Sequence, residues 1–447
     1  MKEKVTHSQP NIYVGLDIGT TKIATVVGFR NEDGKIEVIG HGKVESTGVQ
    51  HGIILNLNQT TEGIIKSKEI AETRSDTEIG SVYVGVAGRH IKSEEYRHVI
   101  RRKKNADDII SQDEIDTMCN ALHNILLPVD EKIIDVIPQR YIVDGYETTN
   151  PVGHIGTVIE GYFQVVTGNE LEINKIVRCV KDSGLDLEDI TLEPLASGLS
   201  CLSKEERERG VVLVDIGGGT TDVAIYYKGN PVYTQVIPFG GNSITRDISS
   251  VCHITEELAE KLKIQYGTCL EDKSNHNNRI TIPQFQGMDN AHITEPALAK
   301  IIAARVMDFI IKPVKKAVED SPYASKLMGG VVLTGGGAML RHLKELFQYE
   351  LARPTRIGRP EFGFVNTLQT DLKHPMYATA LGLLEYAIIT NEDEGQPVHT
   401  DVDDEYEHVD DIENDPDDPD TPVGHGILRG FLDKVKGFLQ NILKATA

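Results

Sequence analysis

Two short stretches carry the residue types that could handle phosphate. "VGLDIGTTKIATVVGF" (14–29) and "VLVDIGGGTTDVAIYY" (212–227) each join two apolar runs through a glycine turn. Asp17 and Asp215 precede the turns and lie 198 positions apart. Tight turns between strands draw on glycine where φ is positive, which is the reason expected for Gly19, Gly217, Gly218 and Gly219. Glycines also leave backbone N–H groups uncovered, so phosphate oxygens can approach them. Thr20, Thr21, Thr220 and Thr221 add hydroxyl donors, and Lys22 adds a positive charge. Asp17 and Asp215 sit where carboxylates hold a hydrated Mg2+ between the turns. One such turn alone reads as an ordinary hairpin. Two copies, each with Asp before and Thr after, read as a clamp that grips a triphosphate from both sides. Neither GxxxxGK[ST] nor GxGxxG occurs, which removes the P-loop and Rossmann readings.

A third glycine turn, "VVLTGGGAML" (331–340), follows another strand-like run. Gly335, Gly336 and Gly337 suit either contact with a ribose or base, or close packing of a strand against a helix. Glu260 and Lys263 are three apart in a helical stretch and share a face; by themselves they read as a solvated pair.

The elements that must position these residues follow from periodicity. "NIYVGLDIG", "KIATVVGFR" and "KIEVIGHGKV" read as a strand meander, 60–75 as a helix and 82–88 as a strand. Residues 86–162 change pattern: Ser111 and Glu114 stand at capping-box spacing before an amphipathic helix, and "KIIDVIPQRYIVDG" and "GYFQVVTG" read as strands. This predicts a small inserted α/β unit. Helix 170–185 and a further helix entered from "ITLEPLASGLSCL" (190–202) lead to a second strand meander starting at Gly210, then a helix at 255–267 and a polar loop at 271–292. Helix 295–320, strand 329–338 and helix 377–389 close the body. Two halves with the same opening predict two mixed-sheet domains around a cleft.

At 447 residues the chain exceeds one compact core. The formal charge of −22 divides unevenly: 391–422 carries −15, 423–447 carries +3, and the other 390 residues carry −10. A mildly acidic body leaves no footprint for nucleic acid. Five scattered cysteines without a C-x-x-C pair, and a start of "MKEKVTHSQP", predict a reduced cytosolic protein without structural zinc. No apolar run reaches a spanning length.

Beyond the acidic stretch, Ile427, Leu428, Phe431, Leu432, Val435, Phe438, Leu439, Ile442 and Leu443 fall on one stripe of 3.6-residue period. Arg429, Lys434, Lys436 and Lys444 supply positive charge beside it. A short basic amphipathic helix behind an acidic linker reads as an anchor for anionic membrane lipid. The alternative is a helix docked on the body or on another chain.

Taken in order, DIGTT, DIGGGTTD and TGGGA resemble the phosphate and adenosine motifs of the actin/Hsp70/sugar-kinase superfamily. "VIPQRYIVDG" (136–145), "NPVGHIG" (150–156), "TLEPLASG" (191–198), "GGNSITRDI" (240–248), "AEKLKIQYG" (259–267) and "YATALGLLEYA" (377–387) are similar to the FtsA family of bacterial cell-division proteins within it. The resemblance covers about residues 11–390 and the terminal helix; "TVIEGYFQVVTG" follows the pattern only loosely and 271–292 does not align.

The resemblance implies an α/β, actin-like duplicated ATPase fold with a nucleotide cleft and a C-terminal amphipathic helix. Its subdomains would be 11–85 with 163–195, an insertion at 86–162, then 196–238 with 305–390, and a smaller unit at 239–304. A disordered acidic linker (391–422) and the membrane helix (423–447) would follow. It places ATP and Mg2+ between Asp17, Gly19, Thr20, Thr21 and Lys22 on one side and Asp215, Gly217, Gly218, Gly219 and Thr220 on the other. Gly335, Gly336, Gly337, Glu260 and Lys263 would meet the adenosine. Glu193, otherwise a residue at a helix start, matches the position that orients the attacking water. Arg305 matches a basic helix position implicated in docking the FtsZ C-terminal tail; an ordinary solvent-facing arginine is the other reading. The implied role is an actin-like filament at the cytoplasmic face of the inner membrane that anchors the FtsZ ring and meets downstream division proteins, with at most weak ATPase activity. A soluble sugar or acetate kinase of the same superfamily is the competing function.

Overall fold

A computed structural model describes residues 11–102, 109–283, 290–365 and 370–394. The chain divides into two compact units, 1–387 and 388–447. Of the second, the described part is the end of the last helix.

The first half opens with β1 (Tyr13–Ile18), β2 (Lys22–Arg30) and β3 (Ile36–Glu45) as an antiparallel meander. A short ribbon, β4 (Val49–Gln50) and β5 (Ile53–Ile54), leads into α1 (Leu57–Ser75). The helix begins three residues before the expected position because Asn56 caps it, accepting from the Gln59 N–H. It crosses back to β6 (Ser81–Val86), which runs parallel to β1.

The insertion follows: β7 (Lys92–Arg101), α2 (Gln112–Leu122), β8 (Glu131–Val143), β9 (Tyr146–Thr148) and β10 (Val158–Asn169). Its own sheet runs β7-β10-β8-β9, and α2 covers a separate core around Met118, Tyr141 and Phe163. The Glu114 carboxylate accepts from the Ser111 backbone N–H at 3.0 Å, as the capping-box spacing predicts. The boundary drawn at 162 falls inside β10, which continues past a register shift at Tyr162/Phe163 to Asn169.

From there α3 (Glu170–Asp182) leads to β11 (Asp186–Leu192), a strand that periodicity does not reveal, parallel to β6. Next come α4 (Glu193–Cys201) and α5 (Lys204–Arg209). The second meander is β12 (Val211–Ile216), β13 (Thr221–Tyr227) and β14 (Asn230–Ile237). All six residues of β12 are buried, as a near-continuous apolar run in a central strand requires.

Helices α6 (Gly241–Cys252) and α7 (Glu256–Tyr266) follow. The expected polar loop at 271–292 instead holds β15 (Arg279–Ile282), paired with β16 (Ala291–Thr294). Ile280 and Ile282 alternate inward there, a period-2 signal too short to stand out among polar neighbours. α8 (Glu295–Val306) continues through a π turn (Met307–Ile311) into α9 (Lys312–Asp320). Then come β17 (Val331–Thr334), α10 (Leu343–Leu351), β18 (Thr355–Ile357) and α11 (Ala378–Glu394).

The duplication is a property of the tertiary structure. One five-stranded sheet is ordered β3-β2-β1-β6-β11 and the other β14-β13-β12-β17-β18. In both, an antiparallel meander is extended by two parallel strands.

Candidate functional site

The two turns are geometric copies. Gly19 N–H donates to Lys22 O at 2.9 Å, and Gly217 N–H donates to Thr220 O at 3.0 Å. Each turn is flanked by the same register, Ile18 opposite Ile23 and Ile216 opposite Thr221. They meet face to face: a Cβ on Gly218 would lie 2.2 Å from Thr21 Cγ2, and one on Gly219 would lie 2.4 Å from Thr20 Oγ1. The expectation of positive φ is corrected here, since none of Gly19, Gly217, Gly218 and Gly219 adopts it. At Gly218 and Gly219 the requirement is close approach.

The second turn is aimed by α6. The carbonyls of Gly217 and Gly218 accept from the N–H groups of Gly241 and Asn242 at 2.9 and 2.8 Å. Gly240 makes this seat possible, because a Cβ there would stand 2.6 Å from Gly217 O. With its carbonyls occupied, the turn leaves the Gly218 and Gly219 N–H groups without a hydrogen-bond partner among the described residues.

Between the turns lies a cavity of about 340 Å³. Asp17, Gly19, Thr20, Thr21, Lys22, Glu193, Asp215, Gly217, Gly218, Gly219, Thr220, Gly335 and Gly336 all line it. Gly337, Glu260 and Lys263 do not. Gly335 combines a φ of 82° with a Cβ position 2.3 Å from Asp215 Oδ1, whereas Gly337 packs on Ile216. Glu260 and Lys263 form an ion pair of 2.6 Å behind the second turn, where Lys263 Nζ also donates to Gly241 O at 3.1 Å. Burial pulls the Lys263 pKa down, with Glu260 opposing it.

The wall chemistry is acidic. Asp222, absent from the expected set, lines the cavity and stands in register with Asp215 across β12 and β13. Like charges directly opposite are unfavourable in a sheet, and they occur where function demands them. The counterpart of Asp222 in the first copy is Ala24, so the motif match alone does not single it out. Thr220 Oγ1 donates to Asp222 Oδ2 at 3.1 Å, while Oδ1 is buried without a partner among the described residues. Burial, then the neighbouring Asp215, hold Asp222 well above the usual carboxylate range. Glu193 is likewise held well above it by burial, then by Asp17, Asp222 and Asp215.

Asp215 is raised by burial, and Ser197 tempers the shift. Ser197 and Thr379 are further residues that spacing does not reveal; both donate to Asp215 Oδ2, at 2.6 and 3.3 Å. Lys22 pairs with Asp17, so its charge is already engaged. Burial alone would lower the Lys22 pKa, but Asp17, Glu193 and Asp215 together raise it.

This donor set suits a hydrated divalent cation better than a bare one. Among the described residues no three side chains converge to ligate a metal directly. The buried carboxylates, and the unpartnered Asp222 Oδ1, fit water-mediated contact. Arg305 is paired through its guanidinium with Asp247 and lies 4.1 Å from the Phe309 ring centre. The anchor residues Ile427, Leu428, Arg429, Phe431, Leu432, Lys434, Val435, Lys436, Phe438, Leu439, Ile442 and Leu443 lie outside the described residues. Among those described, no helix is long and apolar enough to cross a membrane.

Residues 212–382 match the family model described as cell division protein FtsA, and residues 88–167 match the SHS2 domain inserted in FtsA. The cell division protein FtsA of Borreliella burgdorferi is 34% identical over 381 residues, covering 84% of this chain and 91% of that one. The chain belongs to the FtsA family of cell-division proteins. FtsA of Bacillus subtilis is 33% identical, covering 84% of this chain and 83% of its own. FtsA of Escherichia coli K12 is 30% identical, covering 84% and 90%.

Among solved structures, the PilM–PilN type IV pilus biogenesis complex aligns with a TM-score of 0.62 at 15% identity, covering 84% of this chain and 98% of that one. MreB5 of Spiroplasma citri bound to AMPPNP aligns at 0.52 and 17%, covering 87% and 100%. These establish an actin-like fold for this FtsA-family chain. Family membership sets the kinase alternative aside.

Proposed function

We propose that this FtsA-family chain binds ATP with Mg2+ in the cleft between the two glycine turns, and that it polymerises on the cytoplasmic face of the inner membrane to hold the FtsZ ring there. One observation carries the nucleotide reading: two turns of matching geometry, each preceded by a buried Asp, face one cavity with free N–H groups on the second turn. The fold neighbour MreB5, solved bound to AMPPNP, supports it.

The N–H groups of Gly218 and Gly219 would donate to phosphate oxygens, with the Thr20, Thr21 and Thr220 hydroxyls beside them. Mg2+, when bound, would neutralise phosphate charge, its water shell held by Asp17, Asp215 and Asp222. Glu193, with its raised pKa, would orient a water at the phosphate end, and hydrolysis would be slow. The Glu260–Lys263 pair would act from behind the second turn, and Gly337 through its packing on Ile216.

The basic amphipathic stripe at 424–444 supports attachment to anionic lipid. Arg305 would meet the FtsZ C-terminal tail by exchanging Asp247 for a partner carboxylate, and downstream division proteins would join the assembled filament. Liposome flotation tests the whole reading, using the full chain and a chain ending at Pro422, each with and without ATP. Flotation of the full chain alone, strengthened by ATP, is expected; equal behaviour of the two chains would refute the anchor.

A further inference from the structure

The tip of the β4–β5 ribbon crosses the cleft beside the second turn. His51 takes a left-handed φ of 50°, uncommon for a residue with a side chain. Its Nδ1 lies 2.9 Å from Gly219 O, and its Nε2 lies 3.4 Å from Arg246 Nη2 on α6. A guanidinium has no lone pair to offer, so Nε2 must accept in that contact. Nδ1 therefore carries the ring hydrogen and donates to Gly219 O. His51 belongs to the first half, and Gly219 and Arg246 belong to the second. One ring thus links the halves, with Arg246 orienting it.

Arg246 is half-buried, and its other contact is the Asn242 carbonyl at 3.4 Å. No carboxylate pairs with it among the described residues, and the adjacent Asp247 is taken by Arg305. A partly buried arginine without a counter-anion suits an anion supplied from outside. The cavity offers little compensation of its own, since Asp17, Asp215, Asp222 and Glu193 face Lys22, which is bound to Asp17.

We propose that Arg246, acting through His51, is the positioning residue by which the cleft distinguishes a nucleoside triphosphate from a diphosphate. This rests on the nucleotide reading above. With the nucleoside end at Gly335 and Gly336, the phosphate chain would run toward Gly219, which meets Thr20 and His51. A third phosphate places its charge there, and Arg246 answers it across the His51 ring. By holding the Gly219 carbonyl, His51 also keeps that peptide's orientation fixed. A diphosphate stops short of Gly219 and gains nothing from either residue.

The test is calorimetric affinity for ATP and for ADP, each with Mg2+, on the full chain and on Arg246→Ala, Arg246→Lys and His51→Phe. Arg246→Ala and His51→Phe should weaken ATP about tenfold, equivalent to about 1.4 kcal/mol, and leave ADP within about twofold. Arg246→Lys, which keeps a donor and the charge, should retain most of the preference. Equal losses for both nucleotides, or none, overturn the proposal. If the parent chain binds neither nucleotide, the nucleotide reading falls and takes the proposal with it. Melting curves without nucleotide establish folding, and should Arg246→Ala fail to fold, His51→Phe carries the same comparison.

Discussion

Ser197 Oγ lies 2.6 Å from Asp215 Oδ2, a donor from α4 fixed on a carboxylate at the end of β12, with both groups buried. Thr379, at the start of α11, donates to the same oxygen at 3.3 Å. Two helices thus set the rotamer of an acid that faces both Asp222 and the third glycine turn. A buried carboxylate that loses such a donor is penalised by about 1.5–3 kcal/mol. Ser197→Ala should therefore raise the Asp215 pKa further and weaken Mg2+-dependent nucleotide binding, more at pH 6 than at pH 8. Calorimetric titration at the two pH values checks this; equal affinity to the parent at both would count against it.

Gly218→Ala probes the contact between the turns. Its methyl would fall 2.2 Å from Thr21 Cγ2, so the turns must separate. Nucleotide affinity should fall at least tenfold, while the melting temperature without nucleotide changes by a few degrees at most. Adding Thr21→Ser removes the clashing methyl and should restore part of the affinity.

Stability without nucleotide should fall as pH rises. Glu193, Asp222 and Asp215 have folded-state pKa values above their unfolded values, and burial pushes Glu385 up to about 7. The folded state therefore holds protons that the unfolded chain releases from about pH 4 upward. Stability is full below that value and is lost until pH passes the raised folded pKa. Each group contributes about 1.4 kcal/mol for every tenfold gain in proton affinity on folding. Glu385 Oε2 is buried without a partner among the described residues. Glu385→Gln should then be more stable than the parent at pH 8 and close to it at pH 4, as read by urea denaturation.

The crossing of α4 and α11 tolerates no side chain at Gly382, whose Cβ would stand 1.8 Å from Ala196 O. Helix α4 is buried along its length after Glu193, so it has no room to retreat. Gly382→Ala should cost about 3 kcal/mol, at the upper end for overpacking. A loss below about 0.5 kcal/mol in chemical denaturation would show that the helices can part.

Local chemistry in the sequence determined the two turns, the meanders that flank them and the existence of an inserted unit. Each is written in residues adjacent in the chain: Asp before glycine, Thr after, apolar runs on both sides, and Ser111 with Glu114 opening α2. The basic amphipathic tail is legible in the same local way. What depends on distant partners had to come from the fold. Asp222 becomes a site residue because antiparallel register sets it opposite Asp215, a pairing closed only when β13 folds back. Ser197 and Thr379 reach Asp215 across 18 and 164 positions, His51 reaches Gly219 across 168, and no spacing rule spans such distances. The reason for glycine in the second turn also changed, from backbone torsion to the space claimed by Thr20 and Thr21, because steric room is a property of two chain segments brought together.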